Sequence, residues 1–199
     1  VYKVAGTSVL NALENATYPG YVPVAVRPSI TRLARKFHLS SSFPVRVHSK
    51  AKEVKAKLKP AMYENYFKFA FVRNPWDWQV SLYEYSRQHK SHPQKNLMSS
   101  FKDFDDYIRW RVKEEGTLQK EFVTDNNGEL IVDHIGKFEK LSADFVEICD
   151  KIGLAVSLPE FNKTKSRKDY TAYYTDETQR LVAEHFKEDI EMFDYSFGK

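Results

Sequence analysis

Cysteine is nearly absent from these 199 residues, with Cys149 standing alone, so no intrachain disulfide can staple the fold. Zinc and iron–sulfur ligand spacings are missing as well. Cys149 falls within the apolar rhythm of an expected helix, which favours a small buried hydrophobe over a nucleophile. No run of 18 apolar residues occurs, and that excludes a membrane-spanning helix. No signal peptide is visible. Glycine is sparse, at seven, while 42% of residues are hydrophobic and 15% aromatic. That composition supplies a substantial core, excludes disorder as a description of the bulk, and fits one domain over 1–199.

Acid is scarce in one region. Between Arg27 and Lys59 ten basic residues face a single acidic one, Glu53, a local charge of +9 within a chain whose net charge is +4. Such a concentration steers anions, whether nucleic acid, an acidic glycan or a small phosphorylated ligand. Solvated helix faces produce the same pattern, so both readings stand.

The most informative stretch is FKFAFVRNPWDWQVSLYEY, Phe67 to Tyr85. Phe67 to Val72 reads as a buried strand of a parallel sheet, interrupted by Lys68. Pro75 suits the first turn of a helix, where a missing N–H costs nothing. Trp76, Val80 and Tyr83 are expected to face the sheet from that helix. The arrangement brings Arg73 to the C-terminal end of a strand and Ser81 two turns into the helix. Ligands bind at that edge of open α/β sheets, and a guanidinium with a hydroxyl suits a phosphate. An arginine salt-bridged to a neighbouring loop is the plain alternative.

Around this stretch the chain reads as alternating elements. VYKVAGTSVLNALENA predicts the tail of a strand, a tight loop at Gly6, and a helix starting near Thr7 and Ser8 with Val9, Leu10, Leu13 and Ala16 on its apolar face. A helix N-terminus preceded by Lys3 is an anion site in waiting. It is not the GxxxxGK[ST] loop, because the lysine comes before the turn. Only two residues precede Lys3, so the domain is expected to lack part of its first strand. Within residues 17 to 47, Tyr18-Pro19-Gly20 predicts a turn, Pro23 and Pro28 discourage a regular core element, Ile30 to Phe37 reads as a short basic helix, and Phe43 to Val47 reads as a strand leading to His48. Ser49 is expected to cap a helix with Ala51, Val54 and Leu58 inward. His48, at the junction, is either a surface polar residue or a base, since imidazole suits proton removal near neutral pH.

Farther on, Ser100 with Asp103 predicts a capping box, and Phe101, Phe104, Ile108 and Val112 read as an amphipathic helix. Phe122 to Val132 predicts a small hairpin around Asp125-Asn126-Asn127-Gly128. Asp133 to Glu139 leads into a helix marked by Leu141, Phe145, Ile148 and Ile152 and closed by Gly153. Leu158 to Tyr170 is a polar, basic loop. Thr175 caps a last helix with Val182, Phe186 and Ile190 inward, and Phe193, Tyr195 and Phe197 dock the C-terminus.

KVAGTS and FAFVRNPWDWQVSLY, followed in order by LIVDHIGKFEKLSADF and YYTDETQRLVAEHFKEDIEMFDYSF, resemble the carbohydrate sulfotransferases that use 3′-phosphoadenosine 5′-phosphosulfate (PAPS). The first is similar to that family's PKxGxTS-like phosphosulfate loop and the second to its FVRNPxDRxxSxY segment. Three positions depart from the pattern: Tyr2 for proline, Trp78 for arginine, and Lys137 for arginine in the frequent RFE triplet.

The resemblance implies a single α/β domain with a central, mostly parallel sheet flanked by helices, the P-loop-like sulfotransferase fold. It implies that Lys3 contacts the bridging oxygen and sulfonate of PAPS, that backbone N–H groups of Gly6, Thr7 and Ser8 cradle the 5′-phosphate, and that Arg73 and Ser81 hold the 3′-phosphate. Thr164, Lys165, Arg167 and Tyr170 are the candidates from the late loop. The implied reaction is in-line transfer of SO3 to an acceptor alcohol, leaving 3′-phosphoadenosine 5′-phosphate (PAP). No metal is expected, because fixed positive groups stabilise the charge growing on the leaving phosphate. His48 is the preferred base, with Glu53 and His38 as rivals. The expected acceptor is a carbohydrate or other hydroxyl compound, an anionic glycan being suggested by segment 27–59, and nucleic acid is not an expected partner. A phosphotransferase and a non-catalytic polyanion- or RNA-binding module are the alternatives. Both a soluble bacterial enzyme and a trimmed Golgi-lumenal domain fit the chain.

Overall fold

The computed structural model describes residues 4, 6–17, 48–88, 93–156, 158 and 168–199, without side chains at 7, 11 and 14–17. Its centre is a parallel pair of strands, β1 (Phe69–Val72) and β2 (His134–Lys137), in register from Phe69 opposite His134 to Val72 opposite Lys137. The apolar run beginning at Phe67 therefore enters the ladder only after Lys68. That lysine has a purpose. Its N–H donates to the Asp133 carboxylate at 2.6 Å, its carbonyl accepts from the N–H of Asp133 and of His134, and its ammonium pairs with Asp133 at 2.9 Å. The clasp sets the register immediately before the first rung.

Side chains alternate across β1, so its two faces enter different cores. Phe71 packs with Val4, with Val9 and Ala12 of α1 (Gly6–Thr17), and with Phe145, Ile148 and Cys149 of α7 (Leu141–Lys151). Val72 joins Phe122, Val123 and Phe193 on the other side. Both faces being covered explains why the strand lacks a polar side. Cys149 lies inside the first of these cores at 1% exposure, and burial raises its thiol pKa.

A larger core is built mainly from helices. Helix α4 (Pro75–Gln88) contributes Trp76, Trp78, Val80 and Tyr83. Around them stand Met98 of α5 (Lys95–Ser100), Phe104, Tyr107 and Ile108 of α6 (Phe104–Glu114), and Val182 of α8 (Asp176–His185) with Phe186. The apolar side chains of α4 thus meet other helices rather than the sheet. Every residue from Pro75 to Ser81 is buried, so the helix is enclosed rather than laid on a surface. Trp78, at the position of the family's arginine, is fully buried with its ring edge-to-face on Phe186.

Several local expectations change for identifiable reasons. On α1, Ala12 is buried and Leu10 is 45% exposed, because the stripe turns toward Phe71 and α7. Helix α2 (Ala51–Lys57) begins after Lys50 rather than through a Ser49 cap, and the Glu53 carboxylate accepts the Lys50 N–H. A separate short helix, α3 (Pro60–Asn65), follows. At α6 the cap is Asp103, which accepts the Asp106 N–H at 3.0 Å, while the Ser100 hydroxyl bonds back to the Leu97 carbonyl.

The hairpin reduces to one antiparallel bridge, Thr124 with Leu130, around Gly128 at φ 83°, and Phe122 closes a 3-10 turn (Lys120–Phe122). The final helix breaks at Phe186 into α8 and α9 (Lys187–Phe193). Thr175 caps α8, as expected, and Phe197 docks edge-to-face on Trp76, Tyr170 and Tyr174. The strand expected at Phe43 to Val47, the short helix at Ile30 to Phe37 and the first strand lie outside the described residues. Among the described residues no helix is long and apolar enough to cross a membrane.

Candidate active site

Strand β1 ends at Val72 and α4 begins at Pro75, leaving Arg73 and Asn74 as a two-residue corner at the C-terminal edge of the sheet. Beyond the ladder the corner's backbone needs other partners, because buried peptide groups are rarely left unpaired. Gln119 supplies both for Arg73: its Oε1 accepts the Arg73 N–H at 2.9 Å and its Nε2 donates to the Arg73 carbonyl at 2.7 Å. Glu139 accepts the Asn74 N–H at 2.7 Å. The Asn74 side chain donates to the carbonyls of Ser196 and Lys199 and accepts the Trp76 N–H.

The guanidinium is equally constrained. Arg73 Nε donates to Asp77 Oδ2 at 2.6 Å and Nη1 donates to Ser81 Oγ at 2.9 Å. Its flat face lies over the Phe138 ring, 3.9 Å from the centroid, a stacking geometry that suits guanidinium. Arg73, Asp77 and Ser81 are 6%, 8% and 8% exposed. Burial pushes the Arg73 pKa down to about 10, opposed by the Glu139 carboxylate, so the group stays cationic at neutral pH. Arg73 and Ser81, predicted together from spacing alone, are thus in direct contact. The carboxylate partner is Asp77, one turn along α4, and not a neighbouring loop.

Asp77, Gln119, Phe138 and Glu139 were not singled out from the sequence. The i, i+4 spacing of Arg73 and Asp77 is a usable signal, whereas nothing local marks Gln119. Lys137, the replacement for the family's arginine, donates to the Asp194 carbonyl and lies over the Tyr195 ring. The Tyr195 hydroxyl in turn donates to Glu139 at 3.1 Å, and burial raises its pKa far enough to keep it protonated. Tyr170, at the end of the late loop, accepts the Gly198 N–H at 2.6 Å and stacks edge-on against Phe197. Burial raises its phenol pKa as well.

Of the other candidates, Gly6 and Ser8 stand near the same strand. Gly6 is the first residue of α1 and Ser8 sits in its first turn, half-buried. Val4 and Val9 flank them and pack on Phe71, two residues before Arg73. A cavity of about 410 Å3 runs beside β1, bordered by Gly6 and Val9 of α1, by Ser49 and Val54, and by Phe69 and Phe71. It brings the start of α1 and the chain segment next to His48 to one space, and Arg73 is not in its wall. His48 is exposed, its backbone is left-handed at φ 66°, and partial burial lowers its pKa. Glu53 is exposed and occupied by the N-terminus of α2. Lys3, His38, Thr164, Lys165, Arg167 and the Thr7 side chain lie outside the described residues. Among the described residues no group of three His, Cys, Asp or Glu is placed to hold a metal.

The strand–corner–helix unit thus buries an arginine against a helix carboxylate and a helix hydroxyl at the C-terminal edge of a parallel pair of strands. The chain is similar to an uncharacterized protein of Archaeoglobus fulgidus, 32% identical over 114 residues, which is 55% of this chain and 86% of that one. No solved structure matches it. The model of the sulfotransferase family matches residues 1–196. The chain belongs to the sulfotransferase family, with that family's α/β fold and its PAPS-dependent transferase activity.

Proposed function

We propose that this enzyme moves the sulfonate of PAPS to a hydroxyl of a carbohydrate acceptor, with Arg73 and Ser81 holding the 3′-phosphate of the donor. The observation that carries the donor assignment is the 2.9 Å contact between Arg73 Nη1 and Ser81 Oγ, fixed by Asp77 and Phe138. A preset guanidinium and a hydroxyl suit a terminal phosphate, and prepositioning lowers the ordering cost of binding. Lys3 and the N–H groups of Gly6, Thr7 and Ser8 are assigned to the phosphosulfate end, with Thr164, Lys165, Arg167 and Tyr170 as further contacts from the late loop. The start of α1 is oriented to favour negative charge there.

In the reaction the acceptor oxygen forms a new bond to sulfur as the bond from sulfur to the phosphate oxygen breaks, and His48 takes the acceptor's proton. Its lowered pKa keeps the imidazole neutral, and therefore able to accept, at pH 7. An anionic glycan is the proposed acceptor class. Lys55, Lys57 and Lys59 of the basic segment are exposed, while Lys50 pairs with Glu121 and Lys52 with Asn126.

Calorimetry with PAP and with ADP tests the donor assignment. Tight PAP binding that falls at least tenfold in Arg73→Ala, with little change for ADP, is expected. Equal affinity of the native protein for both nucleotides would remove the assignment. A labelled-sulfate transfer screen across acidic and neutral glycans then tests the acceptor, with acidic glycans expected to lose turnover as salt rises.

A further inference from the structure

We infer that Gln119 is a positioning residue for the donor site, and that Asp189 acts through it. Arg73 lies one step past the last rung of the ladder, so neither strand can satisfy its N–H and carbonyl. A side-chain amide carries one acceptor and two donors and can therefore imitate a peptide group of a third strand. Gln119 does this, meeting the Arg73 N–H at 2.9 Å and its carbonyl at 2.7 Å while fully buried.

The clamp is held from behind. Asp189 of α9, also fully buried, accepts the Gln119 N–H through Oδ2 at 2.7 Å and the Lys120 N–H through Oδ1 at 2.8 Å. On the near side the Glu121 carboxylate accepts the Leu118 N–H and pairs with Lys50. The turn carrying Gln119 is thus pinned at both ends. The amide enters at a fixed height, and the Arg73 backbone, from which the guanidinium reaches Asp77 and Ser81, is fixed with it. A displacement of well under a hydrogen-bond length at Arg73 would carry through to the guanidinium, where bond geometry to a phosphate is demanding.

The inference rests on Arg73 contacting the donor's 3′-phosphate, so the experiment separates the two. PAP and adenosine 5′-phosphate differ only in that phosphate, and the ratio of their dissociation constants isolates its contact. The ratio is measured by calorimetry for the native chain, Arg73→Ala, Gln119→Met and Asp189→Asn, with thermal melts confirming folding. Arg73→Ala is expected to lower the ratio at least tenfold. Gln119→Met should lower it about tenfold with adenosine 5′-phosphate affinity held within about threefold, and Asp189→Asn, which can accept only one of the two N–H groups, by about threefold.

A native ratio in Arg73→Ala would overturn the Arg73 reading itself. A reduced ratio there with a native ratio in Gln119→Met overturns the positioning role alone, as does equal weakening of both nucleotides. Should Gln119→Met fail to fold, Asp189→Asn decides by the same criterion.

Discussion

His48 holds a left-handed backbone at φ 66° without being glycine. Histidine tolerates that region better than most residues, yet such a conformation costs on the order of 1–3 kcal/mol and persists where the surroundings demand it. Here it turns the chain directly into α2, beside the segment that borders the cavity under the start of α1. If His48 is the base, His48→Ala should cut kcat by about 10^2 to 10^4 while PAP affinity changes less than threefold. The acid limb of the pH–rate profile, with its midpoint below the ordinary value of 6.5, should vanish with it. Unaltered turnover in a folded His48→Ala protein would transfer the role to another group.

The central sheet shows how an element depends on one missing side chain. Gly136 of β2 sits opposite Phe71, and a Cβ there would lie 2.4 Å from the Phe71 ring. Phe71 cannot easily yield, since it is 5% exposed and edge-on against Phe69. Gly136→Ala should therefore cost about 1–3 kcal/mol through overpacking, seen as a fall of several degrees in Tm. Adding Phe71→Leu should recover part of the loss, and additive losses in the double variant would count against the steric cause. The same glycine hid β2 in the sequence. His-Ile-Gly-Lys offers one large apolar side chain and no visible alternation, so by sequence the segment reads as the approach to α7. Pairing with β1 makes it a strand.

Across the whole molecule, α9 is joined to the turn before the hairpin by one buried carboxylate, Asp189. Burial pushes its pKa up to about 6 from the ordinary 3.8, while the N–H donors of Gln119 and Lys120 oppose the rise. The folded protein then keeps a proton that the unfolded chain has released between about pH 4 and 6. Stability from this group is greatest below about pH 4 and is lost as pH rises through about 6. The shift corresponds to up to about 3 kcal/mol. Asp189→Asn should flatten that part of the stability–pH profile, measured by denaturant unfolding at intervals from pH 4 to 7. An unchanged slope would show that the carboxylate titrates alike in both states.

The chain's own order of residues was enough for the strand to Val72, the break at Arg73-Asn74, the helix from Pro75 and the meeting of Arg73 with Ser81. Each of these follows from local rules: a short, nearly continuous apolar run for a buried strand, proline at a helix start, and hydroxyl spacing along that helix. The cap at Thr175 and the close at Gly153 are local in the same way. Asp77 is within reach of a local rule, but tertiary structure alone decided what holds the backbone of the Arg73-Asn74 corner and the face of the guanidinium, because Gln119, Phe138 and Glu139 lie 46 or more residues from Arg73 and no period or spacing announces them. It also decided that α4 is enclosed by helices and that Lys68 is a register clasp. Partners of buried polar groups are chosen by proximity in the folded chain, and proximity across the sequence is a product of packing.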